Sequence, residues 1–219
     1  HKSIMGHRAV AEAAYRNHGV EPIQTSQWDF KTNWTGIEGV TELFGASVGI
    51  VGLGDIGMEI APRCRAFNMD IYYHQRTPHP KKVEEAFDAT YLPFDDLLSK
   101  SDFIVLIIPH TPETEGIIGE AEFTKMKSSA TLINVGRGGL IDEDALLKAL
   151  RDRQIAMAGL DVYRWEPLPE SSPLRDLPNI VFSPHTGGGS YRAWGVDVPA
   201  VLENIQKFFR GEKAQGIVS

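Results

Sequence analysis

The sequence predicts an α/β fold, a parallel sheet with helices on both faces, from three observations. Strand-like apolar runs alternate with helical segments along most of the chain. Most of these runs are continuously apolar, as strands covered on both faces should be. The first is followed by Gly52-Leu53-Gly54-Asp55-Ile56-Gly57, which opens a helix. A glycine pattern between strand and helix is the setting of a doubly wound, Rossmann-type dinucleotide-binding turn, whereas the same pattern elsewhere is an ordinary glycine-rich turn.

The chain opens in a helical segment at 3–18, and an arm from Trp28 to Trp34 precedes the first strand, 48–51. Gly52 permits the tight turn, Gly54 lets the backbone approach a pyrophosphate, and Gly57 lets helix and strand pack. Asp55 and Ile56 start the helix whose N-terminus faces the anion. That helix, 55–67, contains Pro62, which removes a hydrogen bond to the Met58 carbonyl at a cost of about 3 kcal/mol. A kink is expected there, not an end, because the apolar face Ile56, Ile60, Cys64, Phe67 runs through it. Further strands are predicted at 69–73, 103–108, 131–135, 156–160 and 180–182. Helices are predicted at 82–87, 94–100, 120–126, 142–151 and 192–210. Asp142-Glu143-Asp144 opens the helix at 142–151 with acid at the positive end of its dipole. The stretch 163–178, rich in proline and serine, is the one long irregular connection.

Composition sets limits. With 219 residues, 42% hydrophobic and 23% charged, the chain is an ordinary globular sequence able to bury a sizeable core. A net charge of −7 disfavours a nucleic-acid partner. The single cysteine, Cys64, excludes an internal disulfide and reads as a small buried hydrophobe; a reducing, cytoplasmic location is the simplest expectation. No apolar run approaches the roughly 18 residues a membrane span needs. No metal centre is expected. Because the first residue is a histidine already inside a helix, the natural N-terminus is expected upstream, which leaves a targeting segment open.

Ligands of such sheets sit beyond the carboxyl ends of the strands, and Arg137, Glu166 and His185 each follow a predicted strand. After the second strand comes Gln75-Arg76-Thr77, where an NAD site usually places a carboxylate for the ribose hydroxyls. The nearest earlier acid, Asp70, lies at the wrong end of that strand. A guanidinium and a hydroxyl suit a 2′-phosphate, so NADP(H) is predicted as the preferred cofactor, with NAD(H) possible. The bland alternative is a solvated basic loop.

Taken together, Gly52 to Gly57, Pro109-His110-Thr111-Pro112-Glu113-Thr114, Asn134 to Asp142, Gly159-Leu160-Asp161-Val162-Tyr163, Glu166-Pro167 and Pro184-His185-Thr186-Gly187 resemble, in order and spacing, the D-isomer-specific 2-hydroxyacid dehydrogenases. Within that family the Gln75-Arg76-Thr77 stretch is most similar to NADPH-using glyoxylate and hydroxypyruvate reductases. The resemblance implies hydride transfer between NAD(P)H and a small 2-oxoacid. Arg137 would hold the substrate carboxylate, His185 would donate the proton, and Glu166 would orient the imidazole and favour its charged form. Asp161 would bind the nicotinamide carboxamide. Further cofactor contacts would come from Pro109, Thr114, Val135, Gly136, Arg137, His185, Gly187 and Gly188.

The same resemblance implies a cofactor domain at 1–190 and, at 191–219, a helix and tail returning to a flavodoxin-like substrate domain whose N-terminal part is expected to be missing. It also implies a homodimer, with the 3–18 helix and the tryptophan arm as candidate interface. The chain departs from the family in Val135-Gly136, where threonine and alanine are commoner, and in the glycine-rich Gly187-Gly188-Gly189. His110 and the other histidines receive no catalytic assignment. Two other functions fit the same motifs: a non-enzymatic, dinucleotide-sensing corepressor, whose acid after the second strand Gln75 contradicts, and a formate-dehydrogenase-like enzyme, which usually carries glutamine at the place of Glu166.

Overall fold

The computed structural model describes residues 3–29, 31–37, 40–188 and 191–214. Gly189 of the glycine run lies outside them. The chain divides into two compact units, His1–Leu43 and Phe44–Ser219. In the first, α1 (Ser3–Ala11) is followed by a 3-10 turn at Ala14–His18, so the helix expected over 3–18 is broken. Ala13 adopts a left-handed φ of 52° between the two pieces. Tyr15 and Trp34 pack edge to face in this unit, with centroids 5.7 Å apart.

The second unit holds a seven-stranded, all-parallel sheet. Its strands are β1 (Ser47–Val51), β2 (Asp70–His74), β3 (Ala89–Tyr91), β4 (Phe103–Leu106), β5 (Thr131–Asn134), β6 (Met157–Leu160) and β7 (Ile180–Phe182). They lie in the order β3-β2-β1-β4-β5-β6-β7. The connections reverse direction between β1 and β4, which opens a crevice there. Register carries the argument further. Val51 pairs with both His74 and Leu106, Leu106 with Asn134, Asn134 with Leu160, and Leu160 with Phe182. Six strands therefore end level, and the residues that follow them emerge along one edge.

The helices are α2 (Asp55–Arg65), α3 (Lys81–Phe87), α4 (Phe94–Lys100), α5 (Glu120–Lys125), α6 (Glu143–Arg151) and α7 (Tyr191–Phe209). Asp142 caps α6 by accepting the Asp144 and Ala145 amides, both at 3.1 Å. This satisfies two amides that a helix start leaves unpaired. Leu97 and Leu98 of α4 and Leu146 and Leu150 of α6 pack with Ile104, Leu106 and Leu132 of the sheet into one buried core.

Three expectations need correction. β3 was absent from the predicted strands. Helix α2 does run through Pro62 but ends at Arg65, and the face it buries is Gly57 and Ala61; Ile56 and Phe67 are exposed and Cys64 half-buried. Close packing on the sheet selects the small residues at i and i+4 over the larger apolar ones. The stretch 163–178 is not wholly irregular, because Pro173–Asp176 forms a 3-10 turn.

Candidate active site

The glycine turn behaves as its pattern requires. Gly52 takes a φ of 105° and its N–H donates to the His74 carbonyl at 2.9 Å. A Cβ on Gly57 would lie 2.2 Å from the Gly52 carbonyl oxygen, so strand and helix close on each other only with hydrogen there. A Cβ on Gly54 would meet nothing within 4 Å, and Asp55 and Ile56 at the start of α2 are exposed. This open space against a helix N-terminus fits a dinucleotide pyrophosphate.

Past β2, Arg76 and Thr77 are exposed. Gln75 is not free in the same way: its Oε1 accepts the Leu53 N–H at 3.2 Å and its Nε2 donates to the Thr77 carbonyl at 2.7 Å. Thr114 closes the loop after β4, its hydroxyl accepting the Thr111 N–H at 2.8 Å and donating to the Pro109 carbonyl at 2.9 Å. In that loop the Thr111 hydroxyl chiefly, with Glu113's own amide and the charge of Arg76 adding to it, holds the Glu113 carboxyl below the usual range.

Arg137 follows β5 in a turn built by Asn134. That buried amide accepts the Gly136 N–H at 3.1 Å and donates to the Arg137 carbonyl at 2.8 Å. Val135 is half-buried and Gly136 buried. The Arg137 side chain is exposed and bonds the Gly136 carbonyl at 2.6 Å.

Glu166 and His185 come together as predicted: His185 Nδ1 lies 2.6 Å from Glu166 Oε2. Because a carboxylate only accepts, Nδ1 carries a proton, which leaves Nε2 for a ligand. The other carboxylate oxygen accepts the Tyr163 N–H at 3.0 Å. The His185 hydrogen bond first, and the Tyr163 amide second, hold the Glu166 carboxyl below the usual carboxylate range.

His185 has a φ of 53°, a left-handed conformation uncommon for a side-chain-bearing residue. Asp161 supports it. Its carbonyl accepts the His185 N–H at 2.9 Å, and its carboxylate accepts the Ser183 hydroxyl at 2.5 Å, the Thr186 amide at 3.0 Å and the Gly187 amide at 2.9 Å. Burial pushes the Asp161 carboxyl up, but these three donors outweigh it and hold it low. Gly188 is exposed beyond them. Asp161 thus braces the loop that carries His185.

A cavity of about 480 Å³ is lined by Arg137, Glu166 and His185. The NAD binding domain of the D-isomer specific 2-hydroxyacid dehydrogenases matches residues 12–187. The chain belongs to this family.

Its relatives include glyoxylate/hydroxypyruvate reductase B of Citrobacter koseri, 40% identical over 215 residues that make up 97% of this chain and 63% of that protein. The Klebsiella pneumoniae enzyme of the same name is 43% identical over 211 residues, 91% of this chain and 62% of its own. Among solved structures, a glyoxylate reductase from Paecilomyes thermophila aligns with a TM-score of 0.75 at 34% identity, covering 95% of this chain and 61% of that one. The NAD complexed form of the D-isomer specific 2-hydroxyacid dehydrogenase from Lactobacillus delbrueckii ssp. bulgaricus gives 0.77 at 31% identity, covering 96% and 65%. The chain thus spans less than two thirds of the length of these relatives. It is an α/β domain with the all-parallel sheet and the NAD-binding domain match of this family.

In this family member the cavity holds more than the three predicted residues. His110, Glu115 and Arg164 also line it. His110 Nε2 is hydrogen-bonded to Glu115, and Arg164 reaches the same carboxylate at 3.6 Å. The sequence signal was present, since His110 stands just past the end of β4, where ligand-facing residues are sought. A second histidine-carboxylate pair therefore shares the cavity with His185 and Glu166.

Proposed function

We propose that this chain is the cofactor-binding part of a reductase that takes NADP(H) in preference to NAD(H) and reduces a small 2-oxoacid, glyoxylate or hydroxypyruvate in type, to the D-2-hydroxyacid. The observation that carries the reading is the His185–Glu166 pair beside Arg137 in one cavity at the carboxyl edge of the sheet. The Gly52 to Gly57 turn and the exposed Arg76 and Thr77 would hold the dinucleotide, which would supply a hydride when bound. Arg137 binds the substrate carboxylate, a task suited to a planar, permanently charged guanidinium. His185 gives the proton on Nε2 to the carbonyl oxygen. Glu166 fixes the ring through Nδ1 and offsets the imidazolium charge. Asp161 holds the loop on which His185 sits, and we assign its carboxylate to the nicotinamide carboxamide as well.

We assign residues 1–190 to the cofactor domain and 191–219 to a helix and tail shared with a substrate domain. Exposed Val201, Leu202, Ile205, Phe208 and Phe209 on α7 support that assignment, because a helix this apolar is ordinarily covered. The 3–18 segment and the tryptophan arm are our candidate for a homodimer contact.

Glu166→Gln separates charge from geometry. The amide keeps an oxygen for the Nδ1 proton but carries no charge, so the imidazolium is less favoured and the alkaline fall of the reduction rate should begin at a lower pH. In the parent, the depressed Glu166 carboxyl stays ionised until the pH drops below the usual carboxylate range, so the acid side of the profile should not report its protonation within that range. Rate-pH profiles of parent and variant test this; superimposable alkaline limbs would contradict it.

Cofactor choice is tested by titration. Arg76→Ala removes a charge-assisted contact to the 2′-phosphate, of order 1.5 to 3 kcal/mol, and should weaken NADPH and not NADH. Equal or better NADH affinity in the parent would overturn the preference.

A further inference from the structure

The turn that meets the pyrophosphate and the loop past β2 are joined through both polar backbone atoms of a single residue. The Leu53 N–H donates to Gln75 Oε1 at 3.2 Å, and His79 Nε2 lies 2.7 Å from the Leu53 carbonyl oxygen. A carbonyl only accepts, so His79 carries a proton on Nε2 and donates it there. The two side chains hold the two peptide units that flank the Leu53 Cα, one through its N–H and the other through its carbonyl.

The brace is rooted in the core. The His79 backbone N–H donates to the Tyr73 hydroxyl at 2.9 Å, and that hydroxyl donates to Glu84 Oε1 at 2.9 Å. Lys81 Nζ donates to the other Glu84 oxygen at 2.7 Å. Tyr73 is 0% exposed and Glu84 8%, and the His79 ring packs 5.8 Å from the Tyr73 ring. Gln75 is fixed from its other end by the Thr77 carbonyl. The turn is anchored by the buried Leu53 side chain and by the Gly52 N–H on the His74 carbonyl, and the Gln75 and His79 bonds add restraint where Gly52 and Gly54 leave the backbone its widest conformational freedom. A phosphate-binding turn that had to be ordered on each encounter would bind more weakly than one already set.

We propose that Gln75 and His79 are positioning residues for the dinucleotide: by gripping the Leu53 N–H and carbonyl they preset the pyrophosphate turn from the loop that meets the adenosine 2′-phosphate. Gln75 acts through Leu53 and not as a ligand of the ribose. The inference rests on the dinucleotide-binding part of the proposed function and on nothing concerning the substrate.

Binding of NADPH, NADH and adenosine 2′-monophosphate to the 219-residue chain tests it. Adenosine 2′-monophosphate carries the 2′-phosphate and no pyrophosphate. His79→Phe keeps a ring against Tyr73 and removes the Nε2 donor; the ratio of NADPH affinity to adenosine 2′-monophosphate affinity should fall at least fivefold. Gln75→Leu removes the acceptor for the Leu53 amide and should lower the same ratio. An unchanged ratio in His79→Phe and Gln75→Leu, whether both ligands keep their affinity or both lose it together, overturns the proposal. Should the parent favour NADH and ignore adenosine 2′-monophosphate, the cofactor preference fails on its own, and the brace is judged by NADH against adenosine.

Discussion

His185→Ala should lower turnover of glyoxylate or hydroxypyruvate by about 100- to 10,000-fold, the range typical of a lost general acid, in a version of the protein with the full length of its relatives. Dinucleotide affinity should stay close to that of the parent, because the pyrophosphate turn lies across the crevice after β1 and not on the loop after β7. Single-turnover rates and a separate binding titration check the two halves. A His185→Ala protein within about threefold of the parent, far short of a general acid's contribution, would remove the enzyme reading and favour a dinucleotide sensor built on the same fold.

Gly138→Ala should be nearly as damaging although it adds one methyl group. A Cβ at Gly138 would lie 1.9 Å from the Tyr163 carbonyl carbon, 2.1 Å from its oxygen and 2.4 Å from the Arg164 nitrogen. These are backbone atoms, so no side chain can rotate away and the turn carrying Arg137 must move against the segment leaving β6. That segment presents the Tyr163 amide to Glu166, so the carboxylate that orients His185 shifts with it. Overpacking of this kind costs about 1 to 3 kcal/mol of stability, and misplacing reacting groups by roughly 1 Å costs about 100-fold in rate. Thermal unfolding and turnover measured together check the claim. A variant as stable and as active as the parent would show that the two backbones do not approach so closely.

Much of this was legible in the sequence because of how a buried parallel sheet is made. The apolar runs at 48–51 and 103–108 read as strands without any structural help, and they cover most of the buried Ser47–Val51 and all of Phe103–Leu106. Ala89–Tyr91 did not, being a three-residue edge strand with one buried position and no apolar run. The face of α2 was misread for the opposite reason: hydrophobicity pointed to Ile56 and Phe67, whereas the helix sits so near the sheet that only Gly57 and Ala61 fit against it. In the site, Arg137, Glu166 and His185 could be found because each stands in a distinctive local motif past a strand. The His110 and Glu115 pair shares a cavity with them only because the loops after β4 and β5 are neighbours, a fact of topology that no local pattern encodes. Asp161 was assigned to a ligand from the sequence; the loop hydrogen bonds it makes depend on the register of β6 and β7.

The order of the strands divides the labour of the molecule. In the function proposed above, residues past β1 and β2 meet the adenosine and phosphate half of the cofactor, while those past β5, β6 and β7 carry Arg137, Glu166 and His185 on the far side of the crevice. Mutations that exchange one dinucleotide for the other therefore fall on a different part of the sheet from those that tune the reaction. A lineage descended from such a chain can change its source of reducing power and its chemistry in separate steps, each visible to selection by itself, without passing through a form that does neither.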